Sequence, residues 1–326
     1  MTSTLAGTPS PAAGQDLAAG VALRTRGLSK LYGARLAVNQ LDLEVRRGEI
    51  FGFLGPNGAG KTTTIRMLLG LIAPSHGSIE LLGQDLSSQR ATLLPRVGAL
   101  IETPALYLAM NGRDNLRAVG ATLGGVSDER IHELLTLVGL ADRQSDRVRT
   151  YSLGMKQRLG VALALLNDPE LLILDEPANG LDPAGIVEMR DLLRQLATSG
   201  KTVFISSHVL GEVRQICDRV AIINLGKLVT LSTVADLISG HGEFTVGVEN
   251  PAQALATIRG QAWGASARMD GETIVTTAPN GRGRDLVYFL VQAGFVPDSV
   301  TPRTQDLEEV FLNLTGNHHQ VNGGAA

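Results

Sequence analysis

Only one cysteine, Cys217, stands in the 326-residue chain. That excludes an internal disulfide and a cysteine metal cage, and it fits a reducing cytosol. Long apolar runs are also missing; the longest, such as Leu159–Leu166, are far too short to span a bilayer. No cationic segment followed by an apolar core opens the sequence, so no secretory signal is expected. Clustered basic residues are absent too. The 29 Lys and Arg against 32 Asp and Glu leave a net charge of −3, which argues against broad electrostatic capture of nucleic acid or acidic lipid. These absences predict a soluble intracellular protein that relies on another chain if it serves a membrane.

What is present is enough to fold. At 44% hydrophobic and 19% charged, the chain can bury a substantial core, and its length allows about two domains. Residues 1–20 are mostly Ala, Gly, Ser, Thr and Pro, and read as a disordered tail. From Val21 to about Leu231, short apolar runs alternate with amphipathic segments, the pattern of an α/β domain. Ile50–Leu54, Leu171–Leu174 and Val203–Ser206 read as buried strands. Between them the sequence predicts a helical subdomain over about 90–167, where Ile131, Leu134, Leu135 and Val138 recur at helical spacing.

The region 241–316 changes character. Phe244, Val246 and Val248 alternate, Pro251–Arg259 reads as a helix opened by proline, and two strand-like runs flank Asp270-Gly271. Arg284–Ala293 then reads as helix and Phe295–Val300 as extended chain. The resulting β-α-β-β-α-β order predicts a small α+β, ferredoxin-like domain. A closing helix would place Leu307, Val310, Phe311 and Leu314 on one face. Residues 317–326 read as a second disordered tail.

Gly55-Pro56-Asn57-Gly58-Ala59-Gly60-Lys61-Thr62-Thr63 fits a phosphate-binding loop. A strand-like run precedes it and a helix-like run, Thr63–Leu71, follows. Glycines let backbone N–H groups converge on phosphate oxygens, and the helix N-terminus adds partial positive charge. Lys61 would reach the β- and γ-phosphates of a nucleotide, and the Thr62 hydroxyl would bind Mg2+. Farther on, the strand Leu171–Leu174 leads into Asp175-Glu176. Neighbours on a strand point to opposite sides, so the two acids are expected to divide labour. Asp175 would hold the Mg2+ shell, and Glu176 would polarise an attacking water.

With these residues stand Tyr151-Ser152-Leu153-Gly154-Met155, Gly180-Leu181-Asp182 and His208, with Tyr32 near the start. In this order they resemble an ATP-binding cassette (ABC) ATPase over about 21–235. Taken alone, each has a plainer reading. Tyr32 offers a ring for adenine to stack on, or is a core tyrosine. Ser152 reads first as a helix cap and otherwise as a phosphate contact. Asp182, followed by Pro183, could equally cap the next helix. His208 could hydrogen-bond a γ-phosphate, a role the resemblance assigns.

Two positions depart from the common family pattern. Only Ser152 and Gly154 carry over from a Leu-Ser-Gly-Gly-Gln loop, and Glu102 stands where a glutamine commonly meets Mg2+. An acid there is still an oxygen ligand, with altered electrostatics. Both variants resemble the bacterial exporter branch that handles drugs and peptide antibiotics. The resemblance implies a P-loop ABC-ATPase fold and an ATP-hydrolysing subunit with ATP and Mg2+ as cofactors. It also implies a membrane-spanning permease docked near Glu102–Leu116 and a place on the inner face of the membrane. A second copy would present Ser152 and Gly154 to ATP in a homodimer. The alternatives are a soluble ABC ATPase in translation or DNA repair, and a nucleotide-dependent binding module that hardly turns over.

Overall fold

A computed structural model describes residues 20–304. The predicted closing helix around Leu307–Leu314 and the two tails, Gly20 excepted, lie outside the described residues. The strands run β1 (Val21–Tyr32), β2 (Arg35–Arg46), β3 (Ile50–Leu54), β4 (His76–Leu81), β5 (Gln84–Asp85), β6 (Val97–Leu100) and β7 (Leu171–Asp175). They continue as β8 (Thr202–Ser207), β9 (Arg219–Asn224), β10 (Lys227–Thr233), β11 (Ser239–Val248), β12 (Arg268–Asp270), β13 (Thr273–Thr277) and β14 (Pro297–Thr304). The helices are α1 (Lys61–Leu68), α2 (Leu86–Leu93), α3 (Gly112–Thr122), α4 (Asp128–Leu137) and α5 (Leu153–Ala164). They end with α6 (Pro183–Thr198), α7 (Leu210–Ile216), α8 (Val234–Ile238), α9 (Pro251–Arg259) and α10 (Gly283–Gln292).

The chain divides into two compact units. The first, described residues 20–50 and 62–204, holds an antiparallel sheet in the order β2-β1-β4-β5. Beside it β6 and β7 pair in parallel, with Leu100 opposite Leu174. Every residue of β7 is buried, as expected for a strand covered on both faces. The Thr202 and Val203 amides, at the start of β8, donate to the Glu170 and Glu49 carbonyls.

The helical stretch of this unit is set by side-chain caps. Asn111, Ser127, Ser152 and Asp182 accept from the backbone N–H groups of Asp114, Arg130, Met155 and Gly185 and open α3, α4, α5 and α6. Ile131, Leu134 and Leu135 form the buried face of α4, and Val138 is buried at its C-cap. Helix α5 starts at Leu153, directly after its Ser152 cap.

The second unit holds, among the described residues, 51–61 and 205–304. Here β3 pairs in parallel with β9, and β9 antiparallel with β10. Its C-terminal sheet has the order β12-β13-β11-β14. Because β13 lies antiparallel to both β11 and β12, those two run parallel with β13 between them, a split β-α-β arrangement. Phe244, Val246, Ile258, Ile274, Leu286 and Leu290 are among its buried core residues. Trp263 meets Phe289 edge-on at 5.1 Å between ring centroids.

Candidate functional site

The phosphate loop follows from crowding at its first residue. A Cβ on Gly55 would sit 2.5 Å from the Ile223 carbonyl oxygen, so only glycine fits where β3 turns beside β9. Gly58 and Gly60 take φ of +81° and +107°, the left-handed side that glycine adopts without strain. The loop is closed by Ala59 N–H donating to Pro56 O, and tied down by Gly226 N–H donating to Ala59 O at 2.9 Å. Lys61 is 6% exposed, and its Nζ donates to Gly55 O at 2.7 Å and Pro56 O at 3.4 Å. The ammonium therefore lies folded over the loop backbone. Asn57 and Gly58 are exposed at the tip, and Gly60 is half-buried.

Helix α1 begins at Lys61, not at Thr63 as the sequence pattern suggests, so Lys61 and Thr62 are its first two residues. Thr62 Oγ1 donates to Asp175 Oδ2 at 2.9 Å, and the Asp175 carboxylate is 2% exposed at the end of β7. Thr63, next in the helix, is half-buried.

The expected alternation of Asp175 and Glu176 along one strand is corrected by the backbone. Glu176 lies beyond the last residue of β7 and has φ +48°. A left-handed turn, rather than the pleat, separates the two acids, and it leaves Glu176 half-buried while Asp175 is buried. Such a conformation is disfavoured for a residue with an ordinary Cβ.

Glu102 also has a left-handed backbone, φ +56°, two residues past β6. Its Oε1 accepts from Arg66 Nη2 at 3.0 Å, a partnership that sequence reasoning missed. The two residues lie 36 positions apart, so no local pattern in the sequence signals the pair.

The remaining candidates lie as follows. Tyr32 ends β1 opposite Arg35, at a hairpin where Gly33 has φ +58°. Its ring is 48% exposed, which sets aside the core-tyrosine reading. Lys30 Nζ stands 5.3 Å from the ring centroid and donates to Ala73 O at 2.6 Å. Ser152 Oγ caps α5 by accepting from Met155 N–H at 3.2 Å, which uses an oxygen lone pair and not the hydroxyl proton. Asp182 caps α6 by accepting from Gly185 N–H at 3.1 Å. Gly154 packs near Leu181, and Leu153 packs against Gly180, so these two loops touch. His208 is exposed just past β8.

The departure at Tyr151 has a local cause. The side chain is buried, and its hydroxyl donates to Arg143 O at 2.6 Å. A Cβ on Gly112 would come within 2.6 Å of that hydroxyl oxygen, so tyrosine at 151 and glycine at 112 fit each other. Burial pushes the phenol above its ordinary pKa.

Loop, cap and strand-end geometry define a P-loop nucleotide-binding protein. Residues 38–179 match the ABC transporter family. The chain is 42% identical over 296 residues to the uncharacterized ABC transporter ATP-binding protein YhcH of Bacillus subtilis (strain 168), covering 90% of this chain and 96% of the relative. It is 41% identical over 298 residues to the bacitracin transport ATP-binding protein BcrA of Bacillus licheniformis, covering 90% and 97%. A solved ATP binding subunit of an ABC transporter matches with a TM-score of 0.59 at 32% identity, covering 66% of this chain and 91% of that one. The chain belongs to the ABC transporter family. It has the ABC-ATPase fold of an ATP-binding subunit, and its activity is ATP hydrolysis.

Proposed function

We propose that this chain is the ATP-hydrolysing subunit of an exporter for a drug, antibiotic or peptide, and that it works with a separate membrane-spanning permease. The observation that carries the nucleotide chemistry is the Thr62–Asp175 hydrogen bond, directly after a lysine folded over a glycine-rich loop. These two oxygens are hard donors of the kind Mg2+ takes alongside phosphates and water. Among the described residues no group of three His, Cys, Asp or Glu forms a metal cage, which suits an ion held largely by its nucleotide. Mg2+, when bound, would neutralise phosphate charge.

The rest is assigned to the chain's own groups. Backbone N–H groups of 55–63 cradle the phosphates, and Lys61 moves from the Gly55 and Pro56 carbonyls to phosphate oxygens. Thr62 and Asp175 hold the cation shell, with Glu102 beside it. Tyr32 stacks on the base. Glu176 accepts the proton of the attacking water, and His208 meets the γ-phosphate. In a homodimer, Ser152 and Gly154 of each copy face the other copy's nucleotide, with Asp182 alongside. We further read 21–235 as the ATPase domain and 241–316 as a small α+β domain of its own.

The transport assignment is supported by the resemblance to BcrA, whose name concerns bacitracin transport; this favours transport over translation or DNA repair. No helix among the described residues is long and apolar enough to cross a membrane, which suits peripheral attachment on the inner face through a permease. The loop after Glu102 exposes Tyr107, Leu108 and Met110, apolar surface suited to that docking.

The test is co-expression with the neighbouring membrane protein. The chain should sediment with membranes only when the permease is present, be released by mild salt or detergent, and drive ATP-dependent drug uptake into inverted vesicles. A chain that stays soluble in the presence of every genomically adjacent membrane protein overturns the exporter reading.

A further inference from the structure

Two side chains from one face of α1 reach two carboxylates at the ends of adjacent strands. Thr62 and Arg66 are one turn apart and project together. Thr62 holds Asp175 at the end of β7. Arg66 holds Glu102 just beyond β6, with Nη2 to Oε1 at 3.0 Å. Strands β6 and β7 run parallel in register, Leu100 beside Leu174, so both carboxylates leave the same edge of the pair. The backbone at Glu102 is bent to φ +56° at this point, a conformation rarely adopted by residues other than glycine, asparagine and aspartate. Arg66 and Glu102 are 46% and 61% exposed, so their attraction is modest and screened by salt. It is a contact that a competing cation can break.

We propose that Arg66 is a positioning residue that controls how much of the Glu102 charge is available to a divalent cation bound with nucleotide. This rests on the Mg2+-nucleotide reading above. While the guanidinium holds Glu102, the carboxylate is neutralised and turned to α1. Without the guanidinium, Glu102 offers a full negative charge beside the Thr62–Asp175 pair. Arg66 therefore weakens cation capture, and it acts only through Glu102.

A double-mutant cycle read by binding tests this. A fluorescent ATP analogue is held at fixed concentration while Mg2+ is titrated against wild type, R66M, E102Q and the double variant, with a further measurement in EDTA. R66M should lower the Mg2+ midpoint about two- to five-fold, the range of an exposed ion pair. R66K should keep the wild-type midpoint. E102Q should raise the midpoint, and adding R66M to E102Q should change it no further. The R66M effect should shrink as salt is raised from 50 to 500 mM, because exposed charges are screened.

An equal R66M shift with and without E102Q, or no shift at all, overturns the inference. A loss of analogue binding in EDTA that is the same in both backgrounds overturns it too, since Arg66 would then act on the nucleotide directly. Thermal melts without nucleotide verify that each variant folds, and R66Q replaces R66M should the latter unfold. Failure of the wild type to bind the analogue with Mg2+ would instead overturn the proposed function.

Discussion

The ends of β6 and β7 and the C-terminal sheet of residues 239–304 are both made of short strands backed by helices, but they place backbone strain on different residues. At the strand ends the left-handed positions belong to Glu102 and Glu176, where the cost is about 1–2 kcal/mol each. In the C-terminal sheet they belong to Asn280 and to glycines such as Gly271 and Gly281, which tolerate that conformation. The crowding is of one kind: Gly98 on β6 is pressed against the Ala164 carbonyl at the end of α5, as Gly264 is against the Ile258 carbonyl of α9, both packing contacts. One region holds acids where the backbone would not choose to put them, in keeping with the roles proposed for them. The other relaxes its turns and concentrates its apolar side chains in a core.

The strongest challenge to this contrast is Glu176→Gln. The amide cannot accept a proton from water, so phosphate release should fall about 10²–10⁴-fold, the usual share of general-base catalysis. Mg2+-ATP binding should survive, and the ATP-bound dimer should persist longer on size exclusion, because a like charge beside the γ-phosphate is gone. Turnover within threefold of wild type would show that the strained glutamate is not the base, with His208 the next candidate.

Leu290→Ala tests the other side. This fully buried leucine should cost about 2–5 kcal/mol of stability when truncated, read by calorimetry, while ATP affinity stays within a factor of two. Loss of nucleotide binding in that variant would erase the contrast between a working site and a packing unit.

Lys61→Ala should weaken ATP binding by roughly ten- to hundredfold for each charge-assisted hydrogen bond removed, at about 1.5–3 kcal/mol apiece. Titration with a fluorescent ATP analogue measures it, and wild-type affinity would remove Lys61 from the phosphate site.

The smallest effect sharpens the comparison with an ion pair that serves only structure. Glu170 accepts from Arg47 at 2.8 Å and from Arg96 at 2.7 Å, and these partners, Arg47 first, hold its carboxyl below the ordinary glutamate range. A depressed carboxylate stabilises the fold above its unfolded pKa, and that stabilisation is lost as pH falls through the folded value. Glu170→Gln should therefore lower Tm slightly at pH 7, a loss of less than about 1 kcal/mol of stability given the exposure of the pair. The difference from wild type should shrink once pH falls into the ordinary glutamate range and vanish only below the depressed folded value. Hydrolysis rates should not change.

Much of the site was legible in the chain because it is local. Gly55 to Thr63 sit on consecutive residues, Asp175 ends an apolar run, and Pro251–Arg259 forms the helix its proline announces. The caps Ser152 and Asp182 were readable for the same reason, each bonding an amide three residues on. The strand pattern at 244–248 gave three buried residues in alternation. One boundary shifted by two residues where a loop glycine, rather than hydrophobic spacing, starts the helix, at Lys61.

What the sequence determined by itself, then, were the features carried by neighbouring residues: the phosphate loop, the buried strands with their terminal acids, the caps, and the order of elements near the C-terminus. Tertiary structure decided which distant groups meet. Arg66 and Glu102 are 36 positions apart, and no local pattern pairs them; they meet because β6 lies in register beside β7 and α1 turns both Thr62 and Arg66 to one side. Tyr151 fits Gly112 only once the segments around them have packed. The left-handed turn at Glu176 is of the same kind. Its local preference opposes that conformation, and it sits between the buried strand before it and buried Pro177 after it.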